Sequence, residues 1–183
     1  MENTEIIEKL IDGINKNEIP ISEVGLILEK YELNKIQSEE FTLTIDYRRT
    51  LEEMIAAGKF DHFRPKFDSG RYSLPPELKG KIVTVKAKLF RFKEYTTNKE
   101  GVIKIMNAGY KPGTLAELLA LAEAYPGLQK RFMIPAWGSQ NQMSDQPFCC
   151  PFINMRENGR WLDSLVFNED RADYYHLLAT KTI

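Results

Sequence analysis

Histidine and cysteine are scarce in this chain of 183 residues: there are two of each. Nucleophilic triads and most transition-metal sites need histidine or clustered cysteine. Neither His62 nor His176 has a metal-like companion at helical or hairpin spacing. Asp170, Asp173 and His176 would meet as ligands only if the chain folded back on itself there. No metal and no cofactor is therefore expected. Cys149 and Cys150 are adjacent, so in a strand they point to opposite faces. They read as two reduced thiols of a reducing cytoplasm. Either becomes a nucleophile only with a histidine beside it in space.

Other absences are as informative. No apolar run reaches the roughly 20 residues that span a bilayer. The acidic start, Met1-Glu2-Asn3-Thr4-Glu5, is unlike a secretory leader, and the expected location is cytoplasmic, with no membrane partner. Phosphate-cradling glycine loops and the nucleophile elbow are missing. Adjacent carboxylates such as Glu39-Glu40 and Glu52-Glu53 face different ways and read as solvated surface. There is no excess of positive charge, since the formal net charge is -1.

What is present is an ordinary globular composition, 43% hydrophobic and 28% charged, long enough to bury a core without disulfides. Charge is segregated. Residues 1–59 carry 13 acidic and 7 basic side chains, whereas residues 60–93 carry 3 acidic and 9 basic. Such asymmetry steers self-association or a charged partner.

Periodicity predicts an α+β protein. An N-terminal helical hairpin, a central set of strands and helices, and a C-terminal antiparallel meander follow one another. Ile6, Ile7, Leu10, Ile11 and Ile14 mark a helix over 4–16, and Val24, Ile27, Leu28 and Tyr31 a second over 23–33. Residues 1–37 form a thin hairpin that needs another surface to pack on, an oligomerisation appendage to the domain 38–183. Strict alternation over 41–47 predicts a strand with Phe41, Leu43, Ile45 and Tyr47 inward. Thr50/Glu53, Thr97/Glu100 and Thr114/Glu117 are capping-box pairs that open three helices. The first turns Met54 and Ile55 inward and stops at Gly58. The second presents Val102, Ile103 and Met106 and ends at Gly109. The third covers 115–125 and stops at Pro126, with one further turn at 127–132. Phe60, Phe63, Phe67 and Tyr72 are expected under an irregular 59–78 segment. Gly138 allows a tight turn after Trp137. Short strands follow at 133–137, 148–156, 160–167 and 174–180, with Asn158-Gly159 as a hairpin turn.

The most suggestive stretch is 79–93, with six basic residues and no acid. Lys86 and Lys88 share a strand face, opposite Val83, Val85, Ala87 and Leu89. Phe90 and Phe92 continue the basic face. Lys81, Lys86, Lys88, Phe90, Arg91 and Phe92 are therefore candidate contacts to RNA or single-stranded DNA. Lysine on an edge strand that discourages aggregation explains the same pattern. The loop tips offer Asn158, Asn168, Asp170 and Arg171 as candidate interaction residues.

Gly109-Tyr110-Lys111-Pro112-Gly113-Thr114-Leu115-Ala116-Glu117-Leu118-Leu119, followed by Tyr125-Pro126-Gly127-Leu128, resembles a segment of uncharacterised bacterial proteins. Those proteins similarly carry an earlier strand and short helix, here 43–59, and a closing strand meander. The resemblance runs from Thr42 onward and leaves residues 1–37 outside. It implies a bacterial or phage origin and a domain extent, and no activity or catalytic residue. The expected function is then a non-enzymatic binding protein acting through protein–protein contacts, with self-association among them. RNA or single-stranded DNA binding through 79–93 is the alternative, and a cysteine or acid/base hydrolase the second.

Overall fold

The fold is taken from a computed structural model, which describes residues 3–16, 18–20, 22–24, 26–27, 40–63, 72, 74–92, 94–139, 149–166 and 175–183. The chain divides into two compact units, Met1–Glu39 and Glu40–Ile183. In the first, α1 (Asn3–Asn15) matches the expected amphipathic helix. Its chain then folds back, with the Glu18 and Ile19 amides donating to the Gly13 carbonyl. Ile19 sits where a Cβ on Gly13 would be. Most of the expected 23–33 helix lies outside the described residues.

The second unit holds two four-stranded sheets. The first sheet has the order β1 (Phe41–Asp46), β3 (Ile82–Phe90), β8 (Leu177–Thr182), β4 (Lys111–Pro112), with every pairing antiparallel. The second has the order β2 (His62–Phe63), β7 (Gly159–Val166), β6 (Cys149–Arg156), β5 (Ile134–Pro135). Three helices accompany them: α2 (Leu51–Ala57), α3 (Asn98–Asn107) and α4 (Leu115–Ala124). The mixed α+β class is as expected.

Alternation decides the inner face of the first sheet. Phe41, Leu43, Ile45 and Tyr47 are buried as predicted, and Val85, Ala87 and Leu89 meet them from β3. They cover α4, which is buried on nearly all sides and touches β1 of one sheet and β6 of the other. An α-helix apolar all round belongs between layers.

All three capping boxes are formed as the spacing predicted. Their surroundings differ. At Thr50/Glu53 and Thr97/Glu100 the bonds are exposed. At Thr114/Glu117 the Glu117 side chain is buried. Its Oε2 accepts from the Thr114 amide at 2.7 Å and its Oε1 from the Thr180 hydroxyl at 3.0 Å. Lys111 Nζ lies 3.5 Å from the same Oε1. Ser139 Oγ takes the neighbouring Leu115 amide at 2.8 Å. The turn carrying Ser139 can approach because Gly138 has no side chain: a Cβ there would lie 2.4 Å from the Pro112 carbonyl oxygen. One helix start thus joins β8, β4 and the turn after β5.

Several expectations are corrected. On α3 the side facing the sheet is Gly101 and Ile105, with Val102 half-buried, while Ile103 and Met106 are 47% and 61% exposed. Phe63 is 54% exposed rather than packed under a loop, and Phe67 lies outside the described residues. Gly58 keeps a right-handed φ of -65°, and Lys59 takes the left-handed one at +49°. Gly58 is needed because a Cβ would meet the Phe60 ring. In the β6–β7 hairpin the two residues between the closing pair Arg156 and Gly159 are Glu157 and Asn158. Only Gly159 takes a positive φ, +125°, so Asn-Gly is not the central pair of the turn. The antiparallel meander runs through β5, β6 and β7, whereas β8 leaves it, crosses to the other sheet and pairs β3.

The buried box makes a comparative prediction. Glu117→Ala leaves buried donors unpaired and should cost about 2–3 kcal/mol, a fall in Tm of roughly 4–12 °C for a chain of this size. Glu53→Ala, at an exposed box, should cost about 1 kcal/mol or less. Thermal unfolding of both variants checks the order, and equal losses would refute the anchoring role of Glu117.

Candidate functional site

The reactive side chains come first. Cys150 is buried in a cluster with Ile105, Trp137, Leu177 and Ala179. Burial pushes its thiol up to about 12, and the neighbouring Cys149 adds to the rise. That is the opposite of an activated thiol. His176 is 7% exposed and tilted onto Phe132, with ring centres 3.9 Å apart. Burial lowers its pKa to about 4, with the positive charge of Arg91 as the lesser cause. His62 stacks on Trp161 at 4.4 Å and bonds the Asn158 carbonyl through Nε2 at 3.0 Å. Among the described residues no three His, Cys, Asp or Glu side chains gather as a cation site.

The hairpin tip is occupied with its own structure. Asn158 Oδ1 accepts from Trp161 Nε1 at 2.9 Å, and the Arg156 guanidinium lies 4.4 Å from the Trp161 ring centre. Asp61 receives the Arg160 amide at 2.7 Å. Asn168, Asp170 and Arg171 lie outside the described residues.

The 79–93 stretch divides. Lys86 and Lys88 are on the outer face of β3, and Phe90 continues that face, as alternation required. Arg91 follows the strand and its positive charge reaches His176, and Lys81 precedes the strand, its carbonyl taken by the Tyr47 amide. The strand is interior, between β1 and β8, so edge protection does not explain its lysines.

Sheet pairing adds residues that spacing could not reveal. Lys181 of β8 stands opposite Lys86. Lys86 Nζ donates to the Thr42 hydroxyl at 3.0 Å. Lys181 pairs with Glu40, and the Tyr110 hydroxyl donates to the same carboxylate. Three lysines lie over three rings: Lys88 over Phe90 at 5.6 Å, Lys104 over Phe92 at 5.2 Å, and Lys181 over Tyr110 at 4.6 Å. Phe90 and Tyr110 meet edge to face at 5.3 Å. Glu40 is held below the usual carboxylate range, first by the Lys181 bond and then by Tyr110. Lys181 is raised mainly by the same bond to Glu40.

The opposite margin of the sheet has a different character. β1 is the terminal strand, and among the described residues nothing pairs with its far side. The Tyr47 amide and carbonyl bond Lys81 and Gly80. By alternation Leu43 and Ile45 also point at β3, so the peptide groups of Thr42 and Thr44 point away. A groove of about 430 Å³ follows this margin, lined by Thr42, Thr44, Arg49, Ala116, Ala120 and Glu123. Arg49 bonds Glu123 across it at 2.9 Å. The helix contribution had a visible sign in the sequence, alanines at 116, 120 and 124, which share one face at i, i+4 and i+8.

The fold and its surfaces define a two-sheet α+β protein. Compared with protein-family models, curated proteins and solved structures, the chain matches none. No described helix is long and apolar enough to cross a membrane.

The depressed His176 gives a pH prediction. The unfolded imidazole, near 6.5, takes a proton before the folded one does. The stability linked to it is present in full above about pH 6.5 and is lost as pH falls through the folded value of about 4. Asp46, lowered to about 2 mainly by the Arg48 bond, loses its contribution only below its ordinary 3.8. Tm should therefore decline between pH 6.5 and 4, with the slope reduced in His176→Gln. An NMR midpoint for His176 near 6.5 would contradict the burial argument.

Proposed function

We propose that this protein is a non-enzymatic binding module that accepts an extended segment of a partner polypeptide along the free margin of β1. The first partner to test is a second copy of the chain. The observation that carries the reading is the edge of β1 that no described strand pairs, beside the groove under α4.

Three features support it. Natural edge strands are blunted by proline, lysine or bulges, but Phe41-Thr42-Leu43-Thr44-Ile45-Asp46 contains none of these and keeps regular pairing with β3. The groove wall is small where a strand would pass, at Ala116 and Ala120. The pairing is self-complementary: an antiparallel copy centred on Thr44 sets Thr44 against Thr44 and Thr42 against Asp46. Such threonine pairs are favourable across strands. The Arg49–Glu123 pair is about half exposed at both ends, and exposed pairs are worth roughly 0–1 kcal/mol. A strand can displace it at little cost.

Amide exchange with light scattering tests the reading. In dilute monomer the Thr42 and Thr44 amides should exchange much faster than those of Leu43 and Ile45. They should become protected as concentration promotes pairing. Ala120→Arg, which fills the groove from its half-buried wall, should abolish that protection with a small change in Tm. Slow exchange at Thr42 and Thr44 in the dilute monomer would mean the edge is already capped within the chain, and the reading would fall.

A further inference from the structure

The outer face of the first sheet has a second, independent character. Lys86 and Lys88 come from β3, Lys181 from β8 and Lys104 from α3, and the rings of Phe90, Phe92 and Tyr110 lie among them. Two carboxylates enter the group: Glu40, bonded to Lys181 and Tyr110, and Glu100, one helical turn before Lys104 and within its field. Among the described residues, four ammonium groups against two carboxylates leave a local excess of positive charge in a protein whose formal net charge is -1. The pairing of β3 with β8 creates this excess, because residues 86 and 181 become direct neighbours.

We propose that this face binds single-stranded nucleic acid, with the lysines on successive phosphates and the half-buried rings as stacking surfaces for bases. The chemistry fits a single strand better than a duplex. Ring faces stack on unpaired bases, and each ring here already lies under a lysine that could move onto a phosphate. A duplex would offer the sheet only its phosphates. A polypeptide would leave the ammonium excess without partners unless strongly acidic.

Glu40 is the internal competitor. It occupies Lys181 in the free protein, and a phosphate must take its place. Removing it should therefore strengthen binding, an outcome that a merely structural role for Glu40 would not produce.

The test is fluorescence anisotropy of a labelled 20-nucleotide oligouridine and oligothymidine against the full chain, over a salt series. The wild type should bind with Kd on the order of 10–100 µM near physiological salt, the range of non-specific association. Lys86→Gln/Lys88→Gln/Lys181→Gln should weaken binding at least tenfold at low salt. It should also reduce the slope of log K against log salt by about 2, given roughly 0.7 per phosphate for single strands. Glu40→Gln should tighten binding by about threefold or more. Tyr110→Leu should weaken oligonucleotide binding while leaving inorganic polyphosphate of matched charge unaffected. Circular dichroism and Tm confirm folding, and Lys79→Gln, outside the cluster, serves as a control. The proposal is overturned if the wild type does not bind at low salt, or if the triple variant keeps wild-type affinity. It is equally overturned if polyphosphate or an acidic polypeptide binds as tightly as the oligonucleotides and Tyr110→Leu changes nothing. None of these readouts depends on the β1 edge, so Ala120→Arg should bind oligonucleotide normally.

Discussion

The buried carboxylate of Glu117 holds the second unit together. It closes the capping box at the start of α4 through one oxygen, and through the other receives the Thr180 hydroxyl from β8 and draws in Lys111 of β4. Tyr47, just beyond β1, reaches the same place through the Thr114 side chain. Its phenol is pushed up to about 12, first by burial and then by the Glu117 charge. A buried charge is tolerated only when its lone pairs are met by donors, and here they come from three directions. The position of α4 between the sheets follows. So does the groove beside β1, because a helix anchored at that N-terminus runs past the free margin with Ala116 and Ala120 toward it.

Each sheet spends its polar side chains differently. In the second, Asp61, Asn158, Trp161, Arg156 and Asp163 are bonded to one another or to nearby backbone. Arg160 donates to the Ala122 carbonyl, so the hairpin is tied to the end of α4. These contacts consolidate the tip of the hairpin. In the first sheet, the inner side of β3 is core and its outer side carries lysines whose described partners are a hydroxyl, aromatic rings and one shared carboxylate.

Signals within a few residues of one another were legible. The three Thr-x-x-Glu pairs announced three helix starts, and the alternation at 41–47 announced both a strand and its buried face. These are short-range effects: a hydroxyl reaches the third amide ahead of it, and side chains two apart share a side of the pleat. The lysine face was half legible for the same reason. Lys86, Lys88 and Phe90 lie on one strand, whereas Lys181, Tyr110 and Glu40 join them only through the β3–β8 pairing and the turn after α3.

The sequence by itself determined where elements begin, which side of an alternating strand is apolar, and that histidine and thiol chemistry has few carriers. Tertiary structure alone decided the rest. Ile103 and Met106 looked like the buried side of their helix, yet Gly101 and Ile105 took that place, with Ile105 packed in the cluster of Trp137, Cys150, Leu177 and Ala179. The last strand left the hairpin before it and completed the other sheet. Local rules rank conformations of a segment, but the choice of neighbour depends on long-range burial and pairing that no window of sequence contains.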